Sequence, residues 1–354
     1  MSAIYFPVTK FEKYKEHRYW EHDNPYIAYD KILVSPFTTG WEFKDKDFKN
    51  PKLTIYADSG GFQIAIKKQK GELLKVDLIS VLRWQERIAK IAFTLDIPPH
   101  SYGKDYTHNQ FLKCMRKSNF NARIMVKKKL NDDMQLWAVI QGKNYKECEL
   151  WYNDLENREQ YDGYCIALSV HKSNLTVPWV EQLDFARTIS KRFHFLGSSD
   201  KIFTLVLAKF SRIMKLDYSY DTSSSNIGER LGKYIGPISF EQIPFSQEKK
   251  PLDSLSCSCP ICSKYTIAKL RVRSYSPFIN MHNLIVYLDY NKYANRVAEN
   301  DEYFLVVLDN LLANRFKGKS DFYKNRILAL LYDEDIPNKL EDKQVPPWVK
   351  KYLF

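Results

Sequence analysis

Between Tyr56 and Ile64 the chain reads YADSGGFQI, an acid followed by a serine, two glycines and an aromatic ring. The preceding LTIYA has the composition of a strand, and Gly60 and Gly61 let the backbone turn sharply and lie close to a ligand. Asp58 is left at the strand's end, placed either to cap the next helix or to move a proton. A second acid, Asp221, closes the run IMKLDYSYD more than 160 positions later. A third chemical signal is CSCPIC, with thiols at Cys257, Cys259 and Cys262, followed by His282 at 20 residues past the last of them. Three thiolates and an imidazole complete a tetrahedral structural zinc site, closed to water and so not catalytic. His282 also reads as a residue simply packed at the start of an apolar helix.

The elements that must position these residues repeat one grammar, a short apolar or β-branched run ending in a small or polar residue and then a helix-length amphipathic segment. The runs are LTIYAD to Asp58, IAFTLD to Asp96, LWAVIQ to Gln141, YCIALS to Ser169, FHFLGS to Ser198 and IMKLDYSYD to Asp221, after a first strand in KILVSPF from Lys31. Their ends are 23 to 45 residues apart, the size of a strand plus its returning helix. Such a series predicts a doubly wound sheet or a closed (β/α)8 barrel, and the lack of G-x-G-x-x-G after the first strand weighs against a dinucleotide fold. In a barrel all of those polar ends face one rim, where active sites are built. The first thirty residues, aromatic and charged without a clean period, read as a cover over the core. Residues 1–250 are expected to form the barrel, 251–290 the zinc-binding subdomain, and 291–354, with DYNKYANRVAEN, YFLVVLDNLL and RILALLYDEDI, helices closing the structure.

Of the 354 residues 44% are hydrophobic and 15% aromatic, which excludes global disorder. The net charge of +12 leans toward a polyanionic partner such as nucleic acid. The segment from Lys104 to Lys129 carries Lys113, Arg116, Lys117, Arg123, Lys127 and Lys128 with Tyr102, Tyr106, Phe111 and Phe120 near or among them. It reads either as a phosphate track with stacking rings or as a solvated helix face on the barrel's outside. Cys114, Cys148 and Cys165 are scattered singly, a usage that suits metal binding in a reducing compartment better than disulfides. No stretch has signal-peptide or membrane-span character, so a cytosolic, membrane-free protein is expected.

DSGGFQ, TLDIPP, VIQG, DGYCIALSV, the acid of SYDTSSS, PLDSLSCSCPICSKYT and MHNL, in this order, resemble the guanine transglycosylase superfamily, with TLDIPP and CSCPICSKYT closest in character to its archaeosine-type members. The resemblance runs from about Asp58 to Leu284 and implies a (β/α)8 TIM-type barrel carrying a zinc subdomain. It also implies exchange of a guanine in a nucleic acid for a free 7-deazaguanine such as preQ0. Two separated carboxylates suffice for that chemistry, one trapping C1′ of an oxocarbenium-like sugar and one shuttling a proton to the departing and from the incoming base.

By the match of motifs Asp221 falls at the family's nucleophile and Asp58 at its general acid/base. Asp96 and Gln141 fall where the purine's Watson–Crick edge is read, Phe62 where a ring stacks on the base, and Ser59, Gly60, Gly61, Ala167 and Leu168 within the base pocket. Cys257, Cys259, Cys262 and His282 match the zinc ligands. Each also has a structural reading as a cap or core residue of a barrel rim. The sequence departs from the tRNA enzymes at Ile166–Ser169, where Gly-Gly-Leu is usual, and after Asp221, where TSSSNIGERLGKY replaces a basic stretch; the tail domains of many archaeosine-type enzymes have no counterpart. These departures favour a DNA substrate, with a tRNA enzyme of archaeosine or queuosine type as the alternative, and leave open whether the chain dimerises as such relatives commonly do. A partner-type subunit without catalysis would dispense with the two acids, and a zinc-bearing binding module would leave DSGGFQ without a purpose.

Overall fold

The architecture is that of a computed structural model, which describes residues 1–9, 14–37, 41, 43, 48, 50–72, 76–103, 105–168, 179–189, 191–198, 200–240, 242–244, 257–270, 276–332 and 346–352. Lys104, Ser169 and the PLDSLS part of the cysteine motif lie outside the described residues. Eight strands, β1 (Ala3–Pro7), β2 (Lys31–Val34), β3 (Thr54–Ala57), β4 (Ile91–Phe93), β5 (Gln135–Gln141), β6 (Gly163–Ala167), β7 (Phe193–Leu196) and β8 (Tyr218–Thr222), pair in the order β1-β8-β7-β6-β5-β4-β3-β2. Every pairing is parallel, and β1 reaches β2 through the bridge Val8–Leu33 and the bond from Thr9 N–H to the Leu33 carbonyl at 2.7 Å. The sheet thus closes into the expected (β/α)8 barrel, filled by Phe6, Leu33, Tyr56, Ile91, Phe93, Trp137, Val139 and Cys165.

Seven of these strands are the runs legible in the sequence; the eighth corrects it. Residues 3–7 do not cover the core but form a barrel strand in register with β8, from Ala3 opposite Tyr218 to Pro7 opposite Thr222. Four of the five are buried, as parallel strands covered on both faces are, so AIYFP shows no alternation to read. The covering role falls to the segment after β1, where Tyr19 and Trp20 are buried.

Helices α1 (Gly61–Gln69) and α2 (Leu78–Ile88) follow β3, and α3 (His108–Lys128), α4 (Tyr145–Asn153), α5 (Trp179–Arg187), α6 (Lys201–Met214) and α7 (Ser224–Arg230) each follow one later strand. Side-chain caps start several of them: Asp77 accepts from Ser80 N–H, Asn144 from Glu147 N–H, and Thr107 and Gln110 form a reciprocal capping box. On α3 the basic residues Lys113, Arg116, Lys117, Lys127 and Lys128 are exposed, whereas Phe111 is buried core and cannot be a stacking face. The basic segment is therefore the outer side of a barrel helix, with Phe120 alone of its rings exposed, flanked by Lys117 and Arg123.

Beyond the barrel, β9 (Lys233–Ile235) and β10 (Gln242–Pro244) form an antiparallel pair, followed by α8 (Pro260–Lys264), α9 (Ile267–Leu270), α10 (Ser276–Val297), α11 (Asp301–Arg315), α12 (Ser320–Tyr332) and α13 (Pro347–Lys350). Helix α10 runs through residue 290, where a unit boundary was expected. Its polar residues are fasteners: Asn283 bonds the Ile235 N–H and the Lys233 carbonyl, Asn291 accepts from Tyr220 OH, and Asn295 bonds both backbone groups of Ala3. No helix among the described residues is long and apolar enough to cross a membrane.

Two buried glutamines fix the strand ends. Gln85 of α2 donates from Nε2 to the Ala57 and Phe93 carbonyls at 3.1 and 2.9 Å, tying β3 to β4. Gln182 of α5 donates to the Gly142 and Ala167 carbonyls at 2.7 and 3.1 Å, tying β5 to β6. Gln85→Leu removes a side-chain donor from two strand-end carbonyls and is expected to lower stability by about 1–3 kcal/mol in urea unfolding; an unchanged midpoint would show that these bonds do not hold the strand ends.

Candidate active site

Asp58 follows β3 directly, its N–H bonded to the Val34 carbonyl at 2.8 Å and one carboxylate oxygen accepting from Ser59 N–H at 2.8 Å. The turn after it is possible only with glycine. Gly60 adopts φ +90°, and a Cβ there would lie 2.1 Å from the Phe37 ring; a Cβ on Gly61 would lie 2.1 Å from Asp96 Oδ1. The glycines therefore let the start of α1 close down onto a second acid. Ser59 is buried, and its hydroxyl has no partner among the described residues.

Asp96, just past β4, is buried and accepts from Gln141 Nε2 at 2.6 Å, a bond joining the ends of β4 and β5. Burial first, and then the Asp58 charge, push the Asp96 carboxyl up to about 7. Asp58 is likewise raised to about 6, chiefly by burial and further by the Asp221 charge. The three acids therefore share one electrostatic environment, although they come from β3, β4 and β8. Asp221, on β8 and 5% exposed, has its Oδ1 3.0 Å from Gly197 N–H and 3.2 Å from His194 Nε2.

The remaining pocket candidates sit around this rim. Phe62 is 55% exposed in the first turn of α1, with its ring 6.0 Å from that of His100. Ala167 and Leu168 are half-buried at the end of β6, with Ala167 in register with Gln141 and Leu168 N–H bonded to the Leu196 carbonyl. Residues 169–178, next in the chain, lie outside the described residues. Sequence reasoning passed over His194 and Gly197; the signal was a lone polar side chain inside the apolar strand FHFLG.

Cys257, Cys259, Cys262 and His282 come together, with one ligand atom from each within 4.8 Å of the others. The three sulfurs lie 3.8, 3.3 and 3.4 Å from His282 Nδ1. A tetrahedral ion with ordinary Zn–S and Zn–N bonds requires about 3.5 Å between such atoms, so this donor set fits a metal. His282 Nε2 donates to the Ile235 carbonyl at 2.9 Å, which leaves Nδ1 free of its proton to face the thiols, and Tyr234 stacks on the imidazole at 3.9 Å. Cys259 caps α8, where Pro260 occupies the first turn.

A closed parallel barrel with a D-S-G-G turn after β3, an acid on β8 and a Cys3His group beyond it has the layout of the guanine transglycosylase superfamily, and the comparisons bear out that resemblance. In particular, the chain is similar to archaeal proteins named tRNA-guanine(15) transglycosylase. It is 23% identical over 322 residues to that of Methanococcus aeolicus, covering 85% of this chain and 44% of the relative. The match to the Aeropyrum pernix protein is 23% over 276 residues, 70% of this chain and 47% of the relative. That to the Methanocaldococcus jannaschii protein is 23% over 252 residues, 66% of this chain and 35% of the relative. The chain spans less than half the length of these curated relatives, and no family model matches it.

Because the folded state holds the Asp58 and Asp96 protons above the ordinary carboxyl value of 3.8, it binds more protons than the unfolded chain in the window from about 4 to about 7. The stabilisation is fullest at the acid end of that window and is lost as pH rises through 6 and 7. Asp96→Asn is expected to flatten this decline by roughly 1–3 kcal/mol, read from urea unfolding at a series of pH values; equal slopes in both proteins would refute a raised Asp96.

Proposed function

We propose that the chain is a pentosyltransferase that exchanges a guanine in tRNA for a free 7-deazaguanine of the preQ0 kind. What carries the reading is the meeting of Asp58, Asp96, Gln141 and Asp221 at one barrel mouth, with Asp58 raised to within about a unit of neutrality, the range a general acid/base needs. Asp221 attacks C1′ as the C1′–N9 bond breaks, and the electron pair of that bond leaves on the guanine, which takes the Asp58 proton. Asp58 then removes a proton from the incoming base, whose nitrogen attacks C1′ and releases Asp221. Asp96 accepts from N1–H and the 2-amino group of the purine and Gln141 meets O6, while the Phe62 ring stacks on the base. Ser59, whose hydroxyl has no partner among the described residues, and Gly60, Gly61, Ala167 and Leu168 complete the pocket.

The expectation of a DNA substrate finds no support in the comparisons, since the relatives' names state tRNA. Nothing described at the rim separates ribose from deoxyribose, so the polymer is assigned on similarity. Labelled preQ0 offered with tRNA and with duplex DNA is expected to enter tRNA. Asp221→Ala should reduce entry by at least about 10³-fold and Asp58→Asn by about 10²–10⁴-fold. Full turnover by the Asp221→Ala protein would overturn the mechanism, and incorporation into DNA alone would replace the polymer.

The Cys3His group is proposed to hold a structural zinc ion, bound by Cys257, Cys259, Cys262 and His282 in a cytoplasmic protein whose thiols stay reduced. When bound it would tie α8 to α10, whose His282 also bonds the Ile235 carbonyl of β9. Elemental analysis is expected to find one zinc per chain, and Cys259→Ser or a strong chelator should lower the thermal midpoint. A metal-free protein of unchanged midpoint would remove the assignment.

A further inference from the structure

We propose that His194 is the positioning residue of Asp221, donating from Nε2 to Oδ1 so that Oδ1 is the held oxygen and Oδ2 the one offered to the sugar carbon. The inference rests on the reading of Asp221 as the nucleophile. Two donors converge on the same carboxylate oxygen, His194 Nε2 at 3.2 Å and Gly197 N–H at 3.0 Å, and both come from β7 and the turn after it. Among the described residues no hydrogen bond reaches Oδ2.

The tautomer follows from the partners. His194 Nδ1 lies 2.9 Å from Ser219 Oγ. A proton on Nδ1 alone would leave the Nε2 lone pair facing a carboxylate, a repulsive contact in a buried site. With the proton on Nε2 every group is satisfied, as Ser219 O–H donates to Nδ1 and Nε2–H donates to Asp221. Burial lowers the tendency of His194 to take a second proton, so the neutral imidazole is the working form.

The ring cannot swing away. It is fully buried in the barrel core, with Phe93 at 5.0 Å, Tyr56 at 5.3 Å and Phe6 at 6.1 Å between ring centres. Cys165 stands opposite it on β6, its thiol kept neutral by burial, and the Tyr56 phenol is raised to about 12. Asp221 is thus the charged group that His194 meets. A fixed ring fixes the plane of the carboxylate, and with it the line along which Oδ2 approaches C1′.

Two variants separate positioning from packing. His194→Phe keeps a flat ring among the aromatic neighbours and removes the donor; His194→Gln restores an amide nitrogen near the Nε2 position. In single-turnover assays of the covalent protein–RNA adduct, His194→Phe should slow adduct formation by about 10²-fold, with kcat falling and KM for the free base unchanged. His194→Gln should recover most of that loss, and thermal midpoints confirm that both variants fold. Adduct formation by His194→Phe at the wild-type rate, or equal losses in both folded variants, overturns the proposal. Independently of activity, ¹⁵N spectra of the seven histidines, with His194 assigned from the Phe variant, should show a neutral Nε2–H tautomer whose shift changes in Asp221→Ala. An Nδ1–H tautomer overturns the proposal even if exchange occurs. Wild-type exchange that survives Asp221→Ala instead removes the nucleophile reading.

Discussion

The parallel pairing of β1 with β8 over five residues, and its bridge to β2 at Val8 and Leu33, is the contact on which the mouth of the barrel depends. Along the sheet four strands separate β8 from β3, and only closure, which leaves just β1 and β2 between them, brings Asp221 and Asp58 near each other on the rim. An open sheet of the same strands would leave them near opposite edges, four strands apart. The helices add to that closure, since α10 fastens β1 through Asn295 and β8 through Asn291.

Closure also sets the electrostatics. The barrel floor is a stack of apolar and aromatic side chains, so carboxyl groups at its mouth are poorly solvated and are felt by one another. The same low-dielectric setting strengthens the bonds that orient them, from Gln141 to Asp96 and from Gly197 to Asp221. Gln85 and Gln182, reaching in from outer helices, hold the backbone of four neighbouring strand ends in place. Asp58 and Asp96 are raised by an environment whose geometry is pinned from behind.

Much of this could be read from the residues. Asp58, Asp96, Gln141 and Asp221 each end an apolar run, and that single pattern carries both the barrel and the content of its rim. CSCPIC announces itself by spacing, and His282, the last histidine in the chain, does stand beside it. The rest was hidden for physical reasons. AIYFP is buried on both faces and lacks the alternation that marks a half-exposed strand. His194 looks like a core residue because it is one, and its use depends on which atom lies across the barrel from it. Asn291 and Asn295 read as the polar face of an amphipathic helix, yet each is spent on a barrel strand while Asp289, Lys292 and Arg296 make the exposed stripe.

The fastening of Ala3 by Asn295 has a consequence for how the molecule comes into being. β1 leaves the ribosome well before its partners at β8 and on α10, more than 200 and almost 300 positions downstream. At translation speeds of roughly 5–20 residues per second, β1 waits about fifteen seconds to a minute for them. Through that interval β1 has only the end of β2, through Val8 and Leu33, to pair with on its own chain. The barrel is thus closed by a strand made long before its main partners, and nascent chains are most exposed to aggregation or chaperone capture just before α10 emerges.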